Sequence, residues 1–245
     1  AGGPGVTGEV VPDEARRPLM RKEIMARIAA DANGHGVGAE QTQSGKAIYT
    51  FDVPGTPLRF LVLDTAAETG GSEGLLRQGD IDVVIKPALE QAKTDGKWVA
   101  LASHHATSSL GDGTGLGGKQ QPDAVTEQAW VDLLGAYPNV VFSMVGHSHQ
   151  NRIKWVSPAS GHAFWEVMTS ALADFPHQVR IVEIWDQDNG WLMLKTTNVD
   201  FSAMGDPVAF EARTLGALDF VAGWAGTDGP GAANDRNVEV WIEKP

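Results

Sequence analysis

Four of the seven histidines stand in two short motifs, and each motif follows an apolar stretch of the chain. The first is Ser-His-His-Ala at 103–106, and the second is Gly-His-Ser-His at 146–149. Imidazole nitrogen is a good ligand for Zn, Fe, Mn or Ni, and it does not by itself select one of them. The two motifs therefore predict a metal site with His104, His147 and His149 as ligands.

The other three histidines lack such a context. A single histidine is more often a surface residue or a hydrogen-bonded core residue than a ligand. We interpret His35, His162 and His177 in that ordinary way.

The apolar stretches before the two motifs, at 98–103 and 139–145, predict buried strands. Another predicted strand covers 58–65, and the apolar spacing of 81–93 and 124–137 predicts two helices. The alternation of strands and helices is typical of a layered α/β fold with at least one parallel ladder. Because parallel strands end at the same edge of a sheet, we expect the histidines to converge there.

The tip of the second strand has its own predicted geometry. In an extended segment, alternate side chains point the same way, so His147 and His149 are expected to face one metal cluster together. Gly146 is expected to provide the sharp turn before them.

The flanking sequence predicts further elements around this centre. A helix is expected from Asp13, with Pro18 as an alternative start, and a glycine-rich loop at 32–46. Residues 208–224 are helical or irregular in this interpretation. Short strands are expected at 47–53 and in RIKWV, HAFWEVM, VRIVEIWD, GWLMLKTT and NVEVWI after residue 150. We predict one domain over 1–245.

Composition limits the classes of function. The chain has 245 residues and a net charge of −12, which disfavours nucleic acid and anionic lipid as partners. There is no cysteine, so disulfides, thiolate ligands and cysteine nucleophiles are absent. No apolar run approaches the roughly 18 residues of a membrane span. We expect a soluble protein. The sequence does not decide where the protein is located or whether it is exported.

The two histidine motifs, together with LRFLVLDT and the helix that contains Gln91, resemble the calcineurin-like metallophosphoesterases over about 45–170. The resemblance implies a layered α/β/β/α sandwich and a phosphate ester as substrate. It also implies two divalent or trivalent transition metal ions and hydrolysis by a metal-bridged hydroxide. By the same match, His104 and His147 bind one ion and His149 binds the other.

The chain departs from this family in one large respect. The family's first three motifs, Asp-x-His, Gly-Asp-x-x-Asp and Gly-Asn-His, have no match here, and Ala106 stands where the family often has proline. We therefore expect this chain to supply mainly the C-terminal half of a larger phosphoesterase domain. A complementing N-terminal polypeptide or segment is the expected partner.

Three further residues beside the motifs are candidates for the chemistry. His105 is a candidate catalytic residue that positions substrate or donates a proton. Asn151 and Arg152 are candidates for substrate binding, since a guanidinium can grip phosphate oxygens with two hydrogen bonds. For Arg152, an ion pair with a surface carboxylate is an equal alternative.

Two other functions stay open. One is a mononuclear hydrolase in which three histidines leave a position for water. The other is a binding or structural module that keeps a phosphoesterase-like fold without the chemistry.

Overall fold

The computed structural model describes residues 13–31, 36–68, 70–223 and 228–245. Its contacts divide the chain into two compact units, 1–47 and 48–245, and each is described by itself. The assignment of 1–245 to one domain stays a prediction. His35 lies outside the described residues, so its interpretation also stays a prediction.

The first unit contains two short helices, α1 (Arg21–Ala29) and α2 (Ala39–Ser44). The predicted start of α1 at Asp13 is wrong. The helix begins after Met20, whose backbone N–H donates to the Glu23 carboxylate at 2.8 Å and so satisfies one open helix donor. The loop predicted at 32–46 contains α2, which ends where Gly45 takes a left-handed φ of 76°.

The second unit is built on a six-stranded sheet in the order β1-β2-β3-β4-β6-β5. The four central strands are parallel, and the edge strands β1 and β5 run antiparallel to their neighbours. The predicted parallel ladder is therefore confirmed. The strands are β1 (Tyr49–Asp52), β2 (Leu58–Leu63), β3 (Trp98–Ser103), β4 (Val140–Val145), β5 (Arg152–Val156) and β6 (Phe164–Met168).

Helices connect the parallel strands, as their spacing predicted. The first connection runs through α3 (Gln78–Asp80), a π-helical turn (Ile81–Ile85) and α4 (Lys86–Thr94), and the second through α5 (Glu127–Gly135). The π-helical turn was not predicted. Its physical reason is Pro87, which has no N–H to bond the carbonyl of Val83. The helices bury Ile85, Leu89 and Leu134 in the core.

A second, antiparallel sheet consists of β7 (Gln178–Asp186), β8 (Trp191–Asp200) and β9 (Val238–Glu243). Its inner side chains, Leu192, Leu194 and Ile242, join the same core cluster as the first sheet. For the segment predicted as helical or irregular, 208–224, the structure shows a helix, α6 (Pro207–Val221).

The cross-strand pairs of β5 and β6 distinguish the two faces of the larger sheet. Lys154 pairs with Glu166 in the ladder and lies 4.0 Å from Glu127 of α5, on the helix side. Trp165 lies on the opposite face, where its indole N–H donates to the Trp241 carbonyl of β9 at 2.9 Å. Helices, a mixed sheet and a second sheet thus form successive layers, which confirms the predicted α/β class. Within the described residues, no helix has the length and apolar character that a bilayer crossing requires.

Candidate metal centre

Three histidines meet at the carboxyl ends of β3 and β4. Ring centroids lie 5.2 Å apart for His104 and His147, 4.4 Å for His105 and His147, and 4.9 Å for His104 and His105. One nitrogen from each ring lies within 4.8 Å of the other two. The two strands are adjacent and parallel, so residues distant in sequence arrive at one edge, as the sequence predicted for His104 and His147.

The closest approach in this group is a hydrogen-bond contact between two imidazoles that also has the spacing of metal ligands. Nδ1 of His147 lies 3.3 Å from Nε2 of His104. Ligand bonds of about 2.0–2.1 Å at a tetrahedral angle would separate two nitrogens by about 3.3–3.4 Å. The His104 side is exposed and the His147 side is half-buried, so one flank of the pair opens to solvent. This donor pair fits a transition metal ion.

The backbone after β4 is left-handed at both histidines of the second motif. The φ angle is 74° at His147 and 56° at His149, whereas Gly146 does not have a positive φ. The prediction that 147–149 is extended is wrong, and the turn is made by the histidines themselves. Non-glycine residues take this conformation rarely, and such positions are concentrated at functional sites.

His149 faces a carboxylate. Its Nδ1 contacts an oxygen of Asp174, and both side chains line a small cavity of about 160 Å³ that also includes His147. Because a carboxylate accepts, Nδ1 carries a proton, and Nε2 is the ring nitrogen left to bind a metal ion. A carboxylate behind a histidine is the usual means of fixing the tautomer and direction of a metal ligand. His149 is not part of the group of His104, His105 and His147, although it shares this cavity with His147.

His105 is buried behind the other two rings. Its Nε2 lies 3.2 Å from the Ser72 carbonyl, which can only accept, so Nε2 donates. Its Nδ1 lies 2.8 Å from the Thr65 hydroxyl and accepts from it. Burial, followed by repulsion from His147 and His104, lowers the pKa of His105 to about 4. The ring is therefore neutral at pH 7, and both nitrogens have protein partners.

The backbone at Gly74 covers His105 and passes close to its side chain. A Cβ atom at Gly74 would lie 2.7 Å from both Cβ and Cγ of His105, closer than real side chains approach. The segment is fixed by the Gly74 N–H, which donates to Ser109 at 2.8 Å, and by the Leu75 N–H, which donates to Thr65 at 2.9 Å.

Burial also favours the neutral form of His147. Desolvation lowers its pKa, and the proximity of His104 and His149 lowers it further. A neutral imidazole is the form that binds a metal.

The structure places Asn151 inside the fold. The side chain is 1% exposed; its amide N–H donates to Gln178 at 2.8 Å, and its carbonyl accepts from Ser170 at 3.1 Å and Arg180 at 3.0 Å. These bonds link the start of β5 to the second sheet. Its role in substrate binding stays a prediction. Both polar groups of its amide already make hydrogen bonds within the fold.

Arg152 faces a carboxylate that is buried. Its guanidinium lies 4.0 Å from Oε1 of Glu166, which is 1% exposed. The other oxygen of Glu166 accepts from the Thr107 N–H at 2.8 Å, two residues after His105. Among the described residues, neither Nε of Arg152 nor Oε1 of Glu166 has a hydrogen-bond partner. Arg152 also borders a cavity of about 470 Å³.

The described residues place no carboxylate within the group of three histidines. Asp64 follows β2, which pairs with β3, and its carboxylate accepts from the Ala66 N–H at 3.2 Å. This contact to the backbone two residues on is typical of an aspartate in a turn.

The two remaining histidines make ordinary hydrogen bonds. Nε2 of His162 donates to the Val140 carbonyl at 3.1 Å, and Nδ1 of the buried His177 donates to the Leu172 carbonyl at 2.7 Å.

Sequence reasoning missed Asp174, Thr65 and Ser72. Thr65 had a usable signal, since it is the last residue of a predicted strand, where polar side chains reach the edge of the sheet. Asp174 and Ser72 lie in irregular segments, and nothing in their local sequence points to a histidine partner.

The similarity of this chain to known proteins is found among solved structures. No family model matches the chain, and no curated protein matches it. Among solved structures, a dimetal phosphatase from Danio rerio is similar, with 12% sequence identity and a TM-score of 0.47. The match covers 73% of this chain and 68% of that chain. A similarity of this strength leaves function to be argued from the site.

Proposed function

We propose that the chain carries the histidine side of a dinuclear metal centre that hydrolyses phosphate esters. His104 and His147 hold one ion, and His149 holds the other. The observation that carries this proposal is the 3.3 Å separation of the His104 and His147 nitrogens at the ends of adjacent parallel strands. The left-handed backbone at His147 and His149 supports it, because that conformation costs about 1–3 kcal/mol at each residue.

The surrounding residues orient these ligands. Asp174 holds the Nδ1 proton of His149, so Nε2 is the donor atom. His105 packs against His147 and is fixed by Thr65 and Ser72, which makes it a support for the ligand rings. In this position its role as a proton donor is disfavoured, since the Nε2 proton is already committed to Ser72.

The chemistry follows from the ions when they are bound. Two such ions supply Lewis acidity toward phosphoryl oxygens and lower the pKa of water. Their positive charge also offsets the net charge of −12, which would otherwise repel an anionic ester. Arg152 borders the cavity that adjoins Gln150 and contributes a cation there.

The missing carboxylate ligands define the expected partner. Dinuclear centres of this kind need bridging oxygen ligands, and the described residues provide none within the three-histidine group. We propose that a complementing segment or polypeptide supplies them.

A mononuclear centre of His104, His105 and His147 is the second candidate, favoured by the 4.8 Å clustering of their nitrogens. It requires the ring of His105 to leave Thr65 or Ser72. Stoichiometry distinguishes the candidates, because the mononuclear centre binds one ion and involves neither His149 nor Asp174.

Metal titration of the full chain tests the proposal. The chain is titrated with Zn²⁺ or Mn²⁺, and bound metal is measured by elemental analysis. Hydrolysis of an aryl phosphate is expected only when the complementing segment is also present. His104→Asn, His147→Asn and His149→Asn are expected to weaken binding by at least tenfold each. His162→Gln, which can still donate to Val140, is the matched control. Equal metal content in all four variants and the parent protein would contradict the proposal.

A further inference from the structure

A third cavity, of about 710 Å³, is lined by residues of both sheets. Its walls carry four indoles, Trp155 and Trp165 from the larger sheet and Trp191 and Trp241 from the smaller one. We propose that this cavity is a binding site for an organic cation of the quaternary ammonium type.

The aromatic walls are the first support. The rings of Trp155 and Trp165 lie 4.8 Å apart with an interplanar angle of 57°, so they form a corner. Trp155, Trp191 and Trp241 remain 45%, 42% and 48% exposed although they surround one cavity. Indole faces attract cations through their quadrupole, and cages of such faces are the common recognition site for quaternary ammonium groups.

The charge of the lining is the second support. Glu243 is the one charged residue among the described residues that line the cavity. It lies on β9 opposite Trp191, in register with it. Burial lowers the pKa of His162, so this neighbouring ring is neutral and does not offset the carboxylate. The cavity is therefore aromatic and negative, within a chain of net charge −12.

The polar groups of the lining argue against a saccharide. The indole N–H of Trp165 is used by the Trp241 carbonyl, and Nε2 of His162 is used by the Val140 carbonyl. A sugar exposes many hydroxyl groups that need hydrogen-bond partners, and here they would meet mainly carbon. A trimethylammonium group has no such requirement.

The position of the cavity separates it from the histidines. His162 and Ala163 precede β6, whereas the metal ligands follow the opposite, carboxyl end of the neighbouring β4. The five residues of β6 span about 13 Å. The site is therefore independent of the proposed phosphoesterase function, and either inference can fail without the other.

Ligand titration of the full chain tests this inference. Choline is titrated by ligand-observed NMR and calorimetry, beside its uncharged tert-butyl analogue and glucose. We expect saturable binding of choline, with affinity for the uncharged analogue lower by about tenfold.

Variants locate the binding. Trp155→Leu and Glu243→Gln are expected to weaken choline binding by about tenfold and at least threefold. Trp185→Leu and Glu239→Gln change the same residue types on the second sheet outside the cavity and are expected to leave binding unchanged. Circular dichroism checks that each variant is folded, and Trp155→Phe, which keeps an aromatic wall, is expected to retain most of the choline binding. No choline binding, equal binding of the uncharged analogue, preference for glucose, or equal loss in the control variants would each overturn the inference.

Discussion

Nδ1 of His147 lies 3.3 Å from Nε2 of His104, although 43 residues separate the two in the chain. The distance is produced by the parallel pairing of β3 with β4, which ends both strands at one edge of the sheet. A register slip of one residue would turn one of the rings to the other face. The strand pairing therefore sets the ligand geometry. Substitutions that disturb the sheet core near Leu101 or Phe142 should weaken metal binding as well.

Replacement of Asp174 by asparagine tests the orientation of His149. Asparagine keeps the shape of the side chain and removes the charge that holds the Nδ1 proton. We expect the affinity for the second metal ion to fall about 10–100-fold, with little change for the first ion. Sequential metal titration measures both. Asp188→Asn, in the turn between β7 and β8, is the control, and a drop of the same size there would rule out a specific role for Asp174.

Replacement of Gly74 by alanine tests the cover over His105. The added Cβ would lie 2.7 Å from His105, so either the covering segment or the ring must shift. We expect a loss of about 1–3 kcal/mol in the free energy of unfolding, together with weaker metal binding. Gly79→Ala is the matched control, because its Cβ would meet nothing within 4 Å and alanine favours the helix there. Denaturant titration compares the two, and equal stability would show that the cover adapts at no cost.

Replacement of Asn151 by alanine separates a structural role from substrate binding. The change leaves Gln178, Arg180 and the buried Ser170 each with one hydrogen bond fewer. We expect a loss of about 3 kcal/mol in stability. If Asn151 instead contacts substrate, KM rises while the melting temperature is kept. Asn234→Ala, at an exposed position, should alter neither quantity.

The ion pair between Asp52 and Arg59 predicts a dependence of stability on acid. The Arg59 hydrogen bond lowers the pKa of Asp52 from its ordinary value to about 2, with a smaller contribution from Lys97. As the pH is lowered, Asp52 is protonated in the unfolded chain at a higher pH than in the folded protein. The free energy of unfolding should therefore fall as the pH drops from about 4 to about 2. The side chain of Asp52 is 40% exposed, so the effect is expected to be about 1 kcal/mol or less.

Asp52→Asn checks the assignment of this acid effect. The variant should be less stable than the parent protein at neutral pH, and the difference should vanish below about pH 2. Denaturant titrations at several pH values provide the measurement. A difference that persists unchanged in acid would show that the aspartate stabilises through packing rather than charge.

The sequence predicted the elements with strong periodic signals. WVALAS became β3 with the predicted bounds, and alternation of strands and helices predicted the parallel ladder that unites His104 with His147. These features depend on apolar spacing and on a general rule of sheet topology, both of which are readable from one chain.

Features set by tertiary contacts could not be read in the same way. The left-handed turn at His147 and His149 could not be read from the local sequence, since only a few per cent of non-glycine residues take this conformation. The Asp174 partner of His149 comes from an irregular segment 25 residues away. The helix α2 was not predicted within the glycine-rich stretch, because five of its six residues are polar and the helix is too short to show periodicity.

The backbone conformation of His147 and His149 also limits which sequences can serve at these positions. A residue there must tolerate a φ near 60–75° as well as offer a donor atom, and β-branched or bulky side chains fail the first requirement. Alanine at either position would therefore both remove the metal-binding nitrogen and strain the left-handed backbone. Asparagine or glycine would remove the imidazole nitrogen and keep the turn. We therefore expect few residue types to be accepted at positions 147 and 149, whether or not a metal ion is bound there.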